Sequence, residues 1–135
     1  MRRLTTTIAL LGLSLFALLT PTAASAAGPV EVTSATLVAR GVAVDVTLTV
    51  TCPVSANGGA EVSLRQRSGN IVAHGSGWAP LNCTGEPQAV TTRVLADAGG
   101  AVFHKGVALA NGLIELCSED ACDGGPFNNT VRITR

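Results

Sequence analysis

The chain has no tyrosine, a single tryptophan at Trp78 and only three phenylalanines. Surfaces that stack sugars or anchor protein partners lean on several exposed aromatic rings, so a broad aromatic platform is excluded. Lysine is equally scarce, with Lys105 standing alone, and charged side chains make up 13% of the residues. Nucleic-acid binding needs clustered Lys and Arg to displace counterions along the phosphates. No such cluster exists, and that partner class is excluded. Histidine is limited to His74 and His104. No metalloprotease, phosphate-cradling or dinucleotide-binding motif can be read anywhere. The longest run of small and apolar residues, Ile8 to Leu19, is too short for a membrane helix, which takes about 20 residues.

That run has a different meaning. Met1-Arg2-Arg3 precedes it with positive charge, and Ala24-Ser25-Ala26 follows as a small-residue cleavage site. The order is that of a secretory signal peptide over residues 1–26. A mature chain of residues 27–135 then holds seven basic and nine acidic side chains, a net charge of −2. It is long enough for one domain and carries no transmembrane anchor after cleavage. The expected location is extracellular.

All four cysteines, Cys52, Cys83, Cys117 and Cys122, fall after the leader. An even number in an oxidising space predicts two disulfides. Cys117 and Cys122 are close enough to close a short loop, which leaves Cys52 with Cys83 by elimination. Loop-closure entropy assigns roughly 3–4 kcal/mol to the longer loop and about 2 to the short one. A zinc site would need further Cys or His at ligand spacing. His74 and His104 do not supply it, and no metal is expected.

Period-two alternation dominates the mature chain. Val42, Val44, Val46, Leu48, Val50 and Cys52 share one face, while Asp45, Thr47, Thr49 and Thr51 occupy the other. Such alternation with β-branched residues is a half-buried strand. Further strands are predicted over 30–38, 60–67, 71–75, 88–96, 102–116 and 129–134. Turns are expected at Arg40-Gly41, Asn57-Gly58-Gly59, Ser68-Gly69-Asn70, Ala98-Gly99-Gly100 and Gly124-Gly125-Pro126. Asn111-Gly112 could close a hairpin, or Gly112 could mark a bulge in one long strand. The long strand is favoured, since each half would be short. No segment carries a capped helical period. About seven strands with intervening turns predict an all-β, antiparallel immunoglobulin-like sandwich.

Catalytic chemistry has little support. His74-Gly75-Ser76-Gly77 brings a histidine near a serine but lacks the nucleophile elbow, and it reads as a Gly-rich hairpin exit. His104 beside Lys105 reads as a surface pair. Glu115, Glu119, Asp120 and Asp123 surround the short cysteine loop without calcium-loop spacing, as a solvated acidic face. No catalytic residue and no cofactor is assigned. Trp78 is either a core plug beneath Cys83, the favoured reading, or an exposed contact residue between Gly77 and Pro80.

Cys52-Pro53, Leu64-Arg65-Gln66 and Cys83-Thr84-Gly85, followed by Phe103, Gly106, Ala108 and the Cys117/Cys122 pair, resemble a group of small secreted actinobacterial proteins. The likeness spans most of the mature chain and implies an immunoglobulin-like sandwich without transferable catalytic residues. A weaker likeness is to neocarzinostatin-type apoproteins, through the tight Cys117/Cys122 loop. An antibody-type domain is not matched: Leu81 stands where its tyrosine would precede Cys83, and Trp78 lies too near that cysteine.

Three functions are expected in order. The first is a secreted, non-catalytic, monomeric β-sandwich that binds an extracellular ligand or protein, or serves a structural role. The second is a small-molecule carrier with an apolar cleft. The third is an enzyme inhibitor presenting the segment 77–87.

Overall fold

A computed structural model describes residues 28–135, so the signal peptide expected over residues 1–26 lies outside the described residues. Seven strands follow in order: β1 (Glu31–Val38), β2 (Ala43–Val50), β3 (Asn57–Ser68), β4 (Ile71–Asn82), β5 (Gln88–Ala96), β6 (Gly106–Cys117) and β7 (Cys122–Thr134). They close into a barrel in the order β1-β2-β5-β4-β3-β6-β7. All ladders are antiparallel except β1 with β7, which is parallel.

The closure departs from the expected two-sheet sandwich. Two of the seams are very short. β1 meets β7 only at Ala35↔Ile133 and Thr36↔Thr134, and β4 meets β5 only at Gly75↔Ala96 and Ser76↔Leu95. Between these seams run β1-β2-β5 on one side and β4-β3-β6-β7 on the other. Gly75 explains the second seam. A side chain there would run into the Leu95 carbonyl, so only glycine lets the two backbones approach. His74-Gly75-Ser76-Gly77 is therefore a barrel seam rather than a hairpin exit. The His74 carbonyl accepts a hydrogen bond from the Asp97 amide at 2.9 Å, and His74 Nδ1 pairs with Asp97 Oδ2 at 2.7 Å. Both tie β4 to the end of β5.

The β2 alternation holds in three dimensions. Val44, Val46, Leu48, Val50 and Cys52 are buried, whereas Val42 precedes the strand and is exposed. Leu64, Ile114, Phe103 and Ile133 complete the largest buried side chains, and each fully buried aliphatic contributes roughly 1.5–3 kcal/mol. Phe103 comes from the β5–β6 connection, where its amide donates to the Gly41 carbonyl at 2.9 Å.

Three Gly-rich segments expected as turns or a hairpin exit lie within strands. β3 begins at Asn57, β4 runs on to Asn82, and β7 begins at Cys122. The expected turns at 57–59 and 124–126 are thus ladder residues, with Gly58 opposite Leu116 and Gly124 opposite Glu115. Glycine reads as a breaker locally, but cross-strand pairing overrides it. β6 is continuous through Asn111-Gly112, with unbroken register to β3 and β7. The long strand is therefore correct, without hairpin or bulge.

Candidate binding face

The cysteines pair as expected. Cys52 and Cys83 are buried, with their Cα atoms 5.1 Å apart. Their bond fixes the end of β2 to the exit of β4. Cys117 and Cys122 stand opposite each other and clamp the β6–β7 hairpin. Glu115 lies close to that bridge, but both sulfurs are consumed in it and cannot serve as thiolate ligands. Glu119, Asp120 and Asp123 are exposed beside it.

Trp78 is not a core plug. It is 64% exposed, because β4 extends past position 75 and alternation turns Trp78 outward, opposite Glu61. Its indole lies against Gly59 on the adjacent strand, where a Cβ would collide with the ring. The same extension removes most of the segment 77–87 that was expected as an inhibitory loop. Only the residues after Asn82 connect β4 to β5.

The ladders place Trp78 at one edge of a four-stranded outer face. Across β4, β3, β6 and β7 the outward rows run Trp78–Glu61–Leu113–Pro126, then Ser76–Ser63–Asn111–Asn128, then His74–Arg65–Leu109–Thr130. Beyond them the β3–β6 ladder ends, and Val72 faces Arg67 across β4 and β3 while Val107 faces Arg132 across β6 and β7. Val107 (57%), Leu109 (39%) and Leu113 (46%) form an exposed apolar stripe down β6. Sequence reading missed this stripe because three aliphatics on one face of a long strand look like core. The pattern assigns a period but not a side. Here Ala108, Ala110, Ile114 and Leu116 take the inside.

The opposite outer face, on β1-β2-β5, is different. Thr33 Oγ1 donates to the Thr47 carbonyl, Thr47 pairs with Thr91, and Arg93 grips Asp45 through Nε and Nη2 at 2.7 and 2.8 Å. The Arg93 hydrogen bond holds the Asp45 carboxyl below its usual range. That face satisfies itself with polar pairs. On the β4-β3-β6-β7 face, among the described residues, Glu61, Arg65 and Arg132 form no ion pair.

His74 and Ser76 lie two residues apart on β4, and no hydrogen bond joins their side chains. His74 is committed to Asp97, and its geometry is that of a strand tie. A shallow apolar depression of about 390 Å³ lies between residues 28–30 and 124–127. It is open to solvent and borders the chain's undescribed beginning. Among the described residues no helix is long and apolar enough to cross a membrane. Comparison with protein-family models, curated proteins and solved structures finds nothing that matches this chain.

Proposed function

We propose that this is a secreted, non-catalytic, immunoglobulin-like β protein that acts by binding, and that its binding surface is the outer face of β4-β3-β6-β7. One observation carries the reading. Trp78, Leu113, Leu109 and Val107 are exposed together around a central amide and hydroxyl row, while the other outer face carries the Thr47–Thr91 and Asp45–Arg93 pairs beside an exposed Leu95. Exposed apolar side chains gathered on one face, here interleaved with Glu61 and Asn111, mark an interaction surface. The immunoglobulin-like assignment is supported by the strand order and by the two short seams that part the barrel into a three-stranded and a four-stranded wall. Secretion is supported by the leader pattern and the two disulfides.

An apolar fluorescent probe such as anilinonaphthalene sulfonate, titrated at low micromolar protein, tests the face. The expected result is saturable binding that Leu109→Ser with Leu113→Ser removes without changing the melting temperature. Unchanged probe binding in that variant would reject the face. A hydrolytic activity abolished by His74→Ala or Ser76→Ala would reject the non-catalytic assignment.

A further inference from the structure

We infer that the occupant of this face is a second copy of the chain, docked by an isologous two-fold contact. The inference rests on the binding-face reading and names its partner. The argument is the distribution of charge about the central row. On β3, Glu61 lies two residues to one side of Ser63, and Arg65 lies two residues to the other. Both point outward, and neither has an ion-pair partner among the described residues. Four residues apart on one extended strand, they sit about 13 Å from each other, too far to pair within one molecule. Glu115 extends the acidic end of the face, and Arg67 and Arg132 extend the basic end.

A two-fold axis lying in the interface plane, along the Ser63–Asn111 row, reverses the strand direction of the second copy. Glu61 of each molecule then faces Arg65 of the other, and Leu113 faces Leu109 of the other. The amide row packs on itself at the centre. Trp78 comes over the His74 end of the opposing β4. Isologous contacts require this kind of self-complementarity, in which residue i meets j and j meets i. Complementary potentials of this kind set register and partner choice.

The area suffices. Four strands at about 4.8 Å spacing and nine residues at about 3.3 Å give a face near 570 Å². Two copies would bury about 1,100 Å² in total, just above the minimum for a specific interface. A contact of that size belongs with the small, transient interfaces, and the association is expected to be reversible.

Sedimentation velocity on the secreted mature chain, from about 5 to 500 μM, is the test. The expected result is a mass that rises from monomer to dimer, with Trp78 emission shifting to shorter wavelength over the same range. Glu61→Arg and Arg65→Glu should each weaken association by at least about tenfold, since each sets like charges in opposition. The double variant carrying both reversals should restore it, because the swapped pair is again complementary across the axis. Circular dichroism and melting temperature of the single variants, unchanged from wild type, show that their loss of association is not loss of fold. A monomer at every concentration overturns the inference, as does a dimer indifferent to the single reversals or not restored by the double. If the protein stays monomeric while the fluorescent probe still binds the Leu109/Leu113 stripe, the dimer fails but the binding face stands. Loss of both removes the face itself.

Discussion

The side-chain amide of Gln66 closes a ring with the backbone of His104. Gln66 Nε2 donates to the His104 carbonyl at 2.8 Å, and the His104 amide donates back to Gln66 Oε1 at 2.9 Å. Gln66 is only 2% exposed, and its Nε2 also reaches the Val107 carbonyl at 3.4 Å. A buried polar side chain is tolerated when its atoms are paired. Here the pairing anchors the β5–β6 connection, which carries Phe103 into the core. Replacing Gln66 with Leu keeps the volume but orphans both His104 backbone groups. The expected loss is about 1–3 kcal/mol, read from urea denaturation. A change below about 0.5 kcal/mol would show that the ring does not hold the connection.

The two disulfides should differ in weight. Cys52–Cys83 spans 31 residues and Cys117–Cys122 spans 5. Loop entropy predicts a loss of about 3–4 kcal/mol for the Cys52→Ala/Cys83→Ala pair and about 2 for Cys117→Ala/Cys122→Ala. The first bridge is also buried, so its removal leaves two small voids that add to the cost. Equilibrium denaturation under non-reducing conditions ranks them. A reversed order would mean that the hairpin clamp, not the core bridge, governs stability.

The β1–β2 connection holds backbone strain. Ala39 and Arg40 have positive φ, 49° and 58°, ahead of Gly41 at 92°. A left-handed conformation costs a non-glycine residue about 1–2 kcal/mol, part of which glycine returns through its freer unfolded state. Arg40→Gly is expected to stabilise the fold by about 0.5–1 kcal/mol. An unchanged or lowered midpoint would indicate that the Arg40 side chain contributes something the turn geometry does not reveal.

Much of this fold is legible in the sequence because alternation and cysteine count are local or nearly local signals. Val44 to Val50 specifies both a strand and its inner face, and the Cys117–Cys122 spacing specifies its own bridge. The errors share one cause. Gly58, Gly75, Gly77 and Gly124 look like breaks to a reader of single segments, yet each lies in a strand. Gly75 is there because a neighbouring strand, 20 residues away in sequence, passes too close for a side chain. Trp78 follows the same rule: a β4 ending at Gly75 hides the alternation that turns the ring outward, and the strand runs on to Asn82. The outer face is harder still. Leu109 and Leu113 are apolar by sequence, and only the pairing of β6 between β3 and β7 decides that they face solvent.

Acid should weaken the polar outer face through Asp45. The hydrogen bond from Arg93, helped by its charge, lowers the Asp45 pKa. A carboxyl whose folded pKa is depressed contributes stability that is fully present above the unfolded value, about 3.9. That contribution disappears as pH falls through the folded value. The Arg93 side chain is 61% exposed and that of Asp45 28%, so water screens the pair and the contribution is modest. Thermal melts of the wild type and Asp45→Asn should therefore differ at pH about 6 and converge near pH about 2. A difference that persists in acid would assign the effect to packing rather than to ionisation.

Gly59 and Trp78 should behave as one unit. Gly59 is buried on an outer face only because the indole lies over it, an arrangement in which an aromatic ring covers a strand glycine. Glycine in a strand costs roughly 0.5–1 kcal/mol relative to alanine, so uncovered it has no reason to be favoured. Gly59→Ala drives a methyl group into the ring and must displace it, raising Trp78 accessibility to acrylamide. Trp78→Ala removes the cover and leaves the glycine bare. Once the ring is gone, adding the methyl at 59 should be neutral or stabilising. The double-mutant cycle is thus expected to show coupling of about 0.5 kcal/mol or more. Additive effects, with quenching unaltered in Gly59→Ala, would mean that the ring does not rest on Gly59 in solution and that the face is more open than its ladder geometry implies.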